Sequence, residues 1–125
     1  MNVPEDLRYT KDHEWVRVED DTAVVGITDY AQGELGDIVY VEPPAIGDET
    51  TQFEACGSIE AVKAVSDLYA PVSGEVVDVN SAIESNPQLI NQSAYGEGWI
   101  LKIKLSDPAE VDNLLSAGDY KKTIE

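Results

Sequence analysis

The most informative segment of the sequence is Gly57-Ser58-Ile59-Glu60-Ala61-Val62-Lys63-Ala64-Val65-Ser66-Asp67. It is a short apolar run edged by small and acidic residues. Its lysine is the only basic residue between Val18 and Leu101, a span that carries sixteen acidic ones. A solitary ammonium in this setting indicates a lysine kept for chemistry, and the chemistry that suits it is covalent attachment of a cofactor.

Attachment requires an amine that an external modifying enzyme can reach, so the lysine belongs on a tight, protruding turn. The small neighbours Ala61 and Ala64 leave the ε-amine accessible, while Val62 and Val65 favour strands on either side and a rigid hairpin. An acylated lysine would become a long uncharged arm that swings between active sites at high effective concentration. The alternative is a surface lysine that protects a strand edge from aggregation.

Most of the chain alternates apolar and polar residues with a period of two, which predicts short strands. Such strands, separated by glycine and proline, favour a mostly β sandwich or barrel. A faint likeness between residues 36–46 and 74–83 suggests two quasi-equivalent halves on either side of Lys63. The predicted strands lie at 14–19, 22–27, 37–42, 51–55, 57–61, 75–79 and 98–104.

Two short helices are predicted to interrupt the strands. One lies near 28–35, with Thr28 as its N-cap and a glycine at its end. The other lies near 107–117, where an Asp-Pro pair begins the helix and Gly118 ends it. We expect its apolar stripe to pack into the core; the stripe consists of Val111, Leu114 and Leu115.

Length and composition predict one domain over residues 1–125, large enough for a core without disulfides or metals. The hydrophobic fraction of 42% is that of a globular protein. A net charge of −17 argues against nucleic-acid or anionic-membrane binding and favours partners with basic docking faces. The same charge would also suit a saline or acid-rich cytoplasm.

Cysteine and histidine usage narrows the chemistry further. The single Cys56 excludes an intrachain disulfide, and the single His13 argues against a zinc site. We expect Cys56 to act as a small buried hydrophobe, with a reactive thiol as the alternative. The first residues lack the features of a signal or transit peptide, and no apolar run is long enough to span a membrane, so we expect a cytoplasmic protein.

Several motifs, in order along nearly the whole chain, resemble the glycine cleavage system H protein family. The longest is Ser58-Ile59-Glu60-Ala61-Val62-Lys63-Ala64-Val65-Ser66-Asp67-Leu68-Tyr69-Ala70-Pro71-Val72-Ser73-Gly74-Glu75-Val76, which is similar to the family's lipoyl-lysine segment. The others are His13-Glu14-Trp15, Gly26-Ile27-Thr28-Asp29-Tyr30-Ala31-Gln32, Leu35-Gly36-Asp37-Ile38-Val39-Tyr40-Val41 and Gly96-Glu97-Gly98-Trp99.

The resemblance implies a barrel-sandwich hybrid and a non-catalytic, monomeric carrier with lipoate in amide linkage to Lys63. It implies a glycine decarboxylase that loads an aminomethyl group, a tetrahydrofolate-dependent aminomethyltransferase that removes it, and a dihydrolipoyl dehydrogenase that reoxidises the arm. A lipoate-attaching enzyme is a further implied partner. Glu14 and Asp67 are expected near the arm, where a carboxylate can hold the cationic amine.

Rival functions share parts of this pattern. A lipoyl-relay protein, which donates lipoyl groups to other complexes, needs the same lysine, so the sequence does not separate it from glycine cleavage. A free-standing lipoyl domain of a 2-oxoacid dehydrogenase is a further alternative, because it shares the hairpin. Such a domain is normally shorter and followed by a flexible linker and a catalytic domain, whereas a capped helix follows here. A biotin carrier usually places methionine on both sides of its lysine, unlike Val62 and Ala64. An enzyme acting alone would need a Ser-His-Asp or Cys-His set, which this sequence does not offer.

The chain departs from the family pattern at a few positions. Ala61 and Val65 stand where relatives usually carry serine and alanine, and Pro43 replaces a more usual leucine. Glu34 lies where some relatives carry histidine. None of these changes affects Lys63, but we expect Val65 and Glu34 to alter partner affinity.

Overall fold

The computed structural model describes residues 2–124, which form two antiparallel sheets and several short helices. Residues 1 and 125, the outer limits of the predicted domain, lie outside this range. The strands are β1 (Arg8–Tyr9), β2 (Glu14–Glu19), β3 (Thr22–Ile27), β4 (Ile38–Glu42), β5 (Glu49–Thr50), β6 (Ala55–Ala61), β7 (Val65–Tyr69), β8 (Gly74–Val79) and β9 (Leu101–Leu105). The helices are α1 (Asp29–Leu35), α2 (Ala82–Ser85), α3 (Leu89–Gln92), a 3₁₀ helix (Pro108–Asn113) and α4 (Ala117–Ile124).

The mostly β sandwich predicted from the alternating pattern is confirmed. Six strands pair in the order β1-β2-β3-β9-β8-β5, and three pair in the order β4-β6-β7. The inner faces of both sheets meet in one apolar cluster, to which the larger sheet contributes Val25 and Ile103 and the smaller one Ile38, Ile59 and Leu68. Because the small sheet has only one face in this core, its other face is left to solvent.

A second apolar cluster covers the outer face of the six-stranded sheet. Trp15 lies at its centre, fully buried, and its indole Nε1–H donates to the carbonyl of Ala94 at 2.9 Å. Tyr9 and Tyr120 stack beside it with ring centroids 4.7 Å apart, which attaches α4 to the sheet. None of the helices within residues 2–124 has the length and apolarity needed to cross a lipid bilayer.

Most predicted elements near the lysine are observed. Strands β2, β3, β4 and β8 match their predicted ranges to within one residue, and α1 has the predicted Thr28 cap, whose side chain accepts from the Ala31 N–H. The predicted strand at 51–55 is wrong: the chain turns there, and Phe53 takes a φ of 67° while its N–H donates to the carbonyl of Ala70. Strand β9 begins later than predicted, and the short helices α2 and α3 were not anticipated.

The C-terminal helix predicted near 107–117 is confirmed at its start, where the Asp107 side chain caps a helix that begins at Pro108, but it does not continue to 117. A 3₁₀ helix ends at Asn113, and α4 begins only at Ala117, so the predicted terminator Gly118 lies inside a helix. The reason is tertiary: Leu115 pairs with Tyr9 through two backbone hydrogen bonds of 2.7 and 2.9 Å, which requires extended backbone between the two helices. The expected stripe does pack into apolar clusters, but Leu114 and Leu115 enter different ones.

The close approach of β4 to β6 generates a stability prediction. A Cβ on Gly57 would overlap the backbone carbonyl oxygen of Glu42, whereas a Cβ on Gly33 in α1 would meet no atom within 4 Å. We expect Gly57→Ala to lower the free energy of unfolding by about 1–3 kcal/mol, because the strands must separate. Gly33→Ala is the matched control and should raise it by about 0.5–1 kcal/mol. Urea denaturation checks both, and an unchanged midpoint for Gly57→Ala would contradict the packing described.

Candidate functional site

Lys63 lies at the tip of the β6–β7 hairpin, as the sequence predicts. Ala61 and Ala64 form the closing pair, with the Ala61 N–H donating to the Ala64 carbonyl at 2.7 Å, so that only Val62 and Lys63 form the loop. The Val62 N–H donates to the carbonyl of Asp37 at 3.0 Å. This bond ties the tip to the segment between α1 and β4, and the side chains around the lysine remain exposed. The turn is therefore both rigid and accessible.

The Lys63 side chain extends across Gly36, the residue that ends α1. Gly36 has a φ of 82°, and its missing Cβ would lie 3.2 Å from Lys63 Cε. A glycine there suits both the left-handed backbone and the passage of the lysine methylenes. In the described range of the chain no carboxylate lies within 4.0 Å of the Lys63 ammonium, which leaves the amine available for acylation.

A cavity of about 280 Å³ opens beside the hairpin, which we name the acidic cleft. Its floor and walls come from α1, the start of β2 and the adjoining strands β6 and β7. Four carboxylates and an apolar surface share the lining. The lining residues are Asp12, His13, Glu14, Ile27, Tyr30, Ala31, Glu34, Leu35, Ile59, Ser66 and Asp67.

Glu14 is the buried acid of the cleft, with 1% of its surface exposed. The Thr10 hydroxyl donates to its Oε1 at 2.6 Å, and the Tyr69 N–H donates to Oε2 at 3.4 Å. Burial raises the pKa of Glu14 to about 8; these hydrogen bonds oppose the rise, and the nearby Asp12 adds to it. Glu14 is therefore a carboxyl that holds its proton near neutral pH until a cation arrives.

Asp67 is exposed and lines the cleft from the hairpin strand β7. Its charge is the largest of the effects that raise the pKa of Tyr69, the residue whose N–H contacts Glu14. The two acids expected near the arm thus lie in one cavity. Lys63 does not line that cavity, but its side chain crosses Gly36, which directly follows the cleft residue Leu35.

A set of hydrogen-bonded groups behind the cleft was not predicted from the sequence. Tyr120 of α4 places its hydroxyl 2.9 Å from His13 Nδ1 and 2.7 Å from Thr28 Oγ1. In the sequence His13 served as evidence against zinc and as part of a family motif, without a role of its own, and Tyr120 lies some hundred positions further along the chain. The available signal was the presence of a lone histidine directly before Glu14 in the His13-Glu14-Trp15 motif.

Cys56 is half-buried against the main core, and burial raises its pKa to about 12, so the thiol stays protonated and unreactive. Within the described residues, no three His, Cys, Asp or Glu side chains are grouped to hold a metal ion.

The cleft has the chemistry for an apolar chain that ends in a cation. Ile27, Leu35 and Ile59 offer apolar surface, and Glu14 and Asp67 offer oxygen acceptors for an ammonium group. An arm attached at Lys63 would begin on the rim of this cavity. The residues present therefore fit a lipoyl-lysine arm that carries an amine.

The chain is similar to known proteins over nearly its whole length. The family model for the glycine cleavage H-protein matches residues 7–125. The chain is 60% identical over 119 residues to the glycine cleavage system H protein of Symbiobacterium thermophilum, covering 95% of this chain and 93% of that one. It is 55% identical over 124 residues to that of Staphylococcus carnosus, covering 99% and 98%. The crystal structure of the glycine cleavage system H protein from Mycobacterium marinum matches with a TM-score of 0.91 at 38% identity, over 98% of both chains.

These matches confirm the resemblance drawn from the motifs, including the mostly β fold. Proteins of this family are non-catalytic components of glycine cleavage and carry lipoate covalently on a lysine. The chain belongs to the glycine cleavage H-protein family.

Proposed function

We propose that this chain is the lipoyl-bearing shuttle of a glycine cleavage system and that Lys63 is its attachment site. The observation that carries the assignment is the exposed position of Lys63 in a two-residue hairpin loop that a backbone hydrogen bond to Asp37 holds in place. The lysine has no ion-pair partner among residues 2–124, and its methylenes lead over Gly36 toward the acidic cleft. The hairpin would thus provide the attachment point of the arm, and the neighbouring acidic cleft would hold the arm.

When attached, the lipoyl group supplies a dithiolane that carries an aminomethyl group and electrons between enzymes. The protein's own residues then bind and shield that cargo. The Glu14 carboxyl can give up its proton and accept a hydrogen bond from an ammonium, and Asp67 adds a second negative charge at the mouth of the cleft. The apolar walls exclude water, which protects the attached aminomethyl group from hydrolysis.

The partners follow from the same proposal. They are a glycine decarboxylase, an aminomethyltransferase, a dihydrolipoyl dehydrogenase and a lipoate-attaching enzyme. We further infer a monomer, one domain over residues 1–125 and a cytoplasmic location shared with those enzymes. The one-domain assignment is supported by the six-stranded sheet, which contributes residues to both apolar clusters.

Partner docking is best supported at the solvent face of the three-stranded sheet, which we name the hairpin face. Strand register aligns Tyr40, Glu60 and Val65 in one row across this face. The next row on the same face consists of Glu42, Ser58 and Asp67. Asp67 belongs to the edge strand β7 and also lines the acidic cleft. Tyr40 is 51% exposed and Val65 68% exposed. Exposed apolar side chains surrounded by carboxylates complement a partner with an apolar depression and a basic rim.

Substitution of the lysine tests the assignment of Lys63. Lys63→Arg retains the positive charge but cannot form a lipoyl amide. We therefore expect the fold to be unchanged, lipoylation to be absent and glycine–bicarbonate exchange with the decarboxylase to fall to background. Intact-mass and peptide mass spectrometry, from a lipoate-replete host, measure the modification.

Lys121→Arg on α4 is the matched control, because it makes the same chemical change on an exposed position outside the hairpin and cleft. It should be lipoylated and active. A lipoyl group on any other residue, or exchange activity that survives Lys63→Arg, would refute the assignment.

The protonation of Glu14 should respond to cargo. Its pKa of about 8 lies above the ordinary carboxyl value, so the folded state binds a proton that the unfolded state has released between about pH 4.5 and 8. Stability should fall as pH rises through this window, by a few kcal/mol, and this fall should be absent in Glu14→Gln. An ammonium in the cleft should lower the pKa of Glu14 by at least one unit.

Carboxyl carbon shifts measured by NMR follow Glu14 in the unmodified and the aminomethyl-loaded protein. Denaturation of wild type and Glu14→Gln at several pH values isolates the contribution of this group, because the other titrating groups are common to both. A Glu14 pKa that is the same with and without cargo would show that the amine does not lie beside it.

Charge reversal tests the hairpin face. Glu42→Lys with Glu60→Lys should raise the KM for the carrier in the decarboxylase reaction roughly three- to tenfold at low salt, with kcat nearly unchanged, because rim charges act mainly on association. Glu49→Lys with Glu75→Lys, an opposed pair on the six-stranded sheet, is the matched control and should leave KM unchanged. Equal effects of the two double variants would place docking elsewhere.

A further inference from the structure

Behind the acidic cleft, three polar side chains from distant parts of the sequence are connected in a linear chain of two hydrogen bonds. Thr28 Oγ1 lies 2.7 Å from Tyr120 Oη, which lies 2.9 Å from His13 Nδ1. Thr28 and Tyr120 are fully buried, while the His13 ring is half-buried and lines the cleft. The chain of bonds therefore runs from Thr28 at the start of α1, through Tyr120 of α4, to the acidic cleft.

The direction of each bond in this chain follows from the need to satisfy buried donors. Thr28 Oγ1 already accepts from the Ala31 N–H, and in the described part of the protein its own hydrogen has only Tyr120 Oη as an acceptor. The Tyr120 hydroxyl must then donate to the remaining partner, His13 Nδ1. A hydroxyl that donates to Nδ1 requires that nitrogen to be unprotonated, so the imidazole is neutral and its hydrogen is on Nε2.

We propose that Tyr120 is a positioning residue that fixes His13 as the neutral Nε2–H tautomer at the acidic cleft, so that no imidazolium opposes a cationic amine there. The inference rests on the proposed function for its consequence, the retention of an amine, but not for the tautomer itself. His13 is the only side chain in the lining of the cleft that can become positively charged, and the acids beside it are Asp12, Glu14, Glu34 and Asp67. A proton on His13 would place a positive charge in the cavity that has to receive one.

The groups around His13 act in opposite directions on its charge. The carboxylates of Asp12 and Glu34 favour the imidazolium, whereas burial disfavours it, and the net effect lowers the His13 pKa. The other faces of the ring meet Tyr30 and Tyr120, with centroids 4.9 and 5.7 Å away. Burial also raises the pKa of Tyr120 to about 12, so its hydroxyl keeps the proton that it donates.

The backbone holds the ring in place for this contact. His13 has a φ of 73°, a left-handed conformation that is uncommon outside glycine. Two hydrogen bonds maintain it, from the His13 N–H to the Thr10 carbonyl at 3.2 Å and from the Thr28 N–H to the His13 carbonyl at 2.9 Å. The second bond links the histidine directly to the residue that begins the hydroxyl chain.

The test removes one hydroxyl from full-length lipoylated protein. Tyr120→Phe keeps the ring and its stacking on Tyr9 but deletes the donor to Nδ1. Nitrogen-15 NMR of the imidazole reports the tautomer without ambiguity of assignment, because His13 is the only histidine in the sequence. Spontaneous release of formaldehyde from the aminomethyl-loaded protein, without partner enzymes, reports retention of the amine.

Tyr9→Phe is the matched control. It removes a hydroxyl from an equally buried tyrosine in the same cluster, one that donates to the Pro4 carbonyl and does not contact His13. We expect a pure Nε2–H signature in wild type and Tyr9→Phe, and the appearance of Nδ1–H forms in Tyr120→Phe. Release from the loaded arm should accelerate severalfold in Tyr120→Phe alone.

Three outcomes would overturn the inference. These are an unchanged Nε2–H signature in Tyr120→Phe, a changed signature with unchanged release, and equal acceleration in both tyrosine variants, which would show only that α4 has loosened. Failure of the proposed function has a different signature: the wild-type protein takes no aminomethyl group. The tautomer measurement would still test the hydrogen-bond chain in that case.

Discussion

The burial of one carboxyl, that of Glu14, is the constraint on which the cleft depends. A buried acid needs partners, and these come from Thr10 in the preceding loop and from the Tyr69 N–H in the hairpin strand β7. The same side chain therefore holds together the two walls between which an arm would lie. Two hydrogen bonds do not offset the cost of burying the charged carboxylate, so burial raises the pKa of Glu14 to about 8. A protonated carboxyl can accept a hydrogen bond from a cation by losing its proton, so Glu14 need not carry an uncompensated buried charge when the cleft is empty.

The two sheets have different roles: the six-stranded sheet supports the fold, and the three-stranded sheet exposes the lysine. The six-stranded sheet is covered on both faces, by the main core on one side and by the Trp15 cluster with α4 on the other. The three-stranded sheet is covered on one face only, and its hairpin extends the lysine beyond the core. The bond from Val62 to the Asp37 carbonyl keeps that tip from moving freely. Mobility is thus left to an attached arm rather than to the backbone, which favours repeatable presentation of the same lysine to several enzymes.

Local patterns were sufficient for the hairpin and insufficient where distant residues compete. The period of two and the small residues beside Lys63 predicted its turn, because hairpin formation depends on neighbours in sequence. The C-terminal helix was interrupted because Leu115 pairs with Tyr9, a contact that no local propensity contains. Phe53 left its predicted strand for a positive φ for a similar reason, since its N–H donates to the Ala70 carbonyl. Within the site, Glu14 and Asp67 came from family resemblance, whereas Thr10, Tyr69 and Tyr120 act through tertiary contacts that one sequence does not display.

The acidic composition and the single lysine are two sides of one arrangement. An exposed amine surrounded by carboxylates would ordinarily form ion pairs, yet within residues 2–124 Lys63 has none, and its side chain crosses Gly36 instead. Acylation of Lys63 would remove the one positive charge between Val18 and Leu101 and leave only acidic charged residues in that span. A basic partner would therefore be attracted more strongly to the modified carrier than to the unmodified one. An arm loaded with an amine would restore a positive charge, which the acidic side chains of the cleft would partly neutralise.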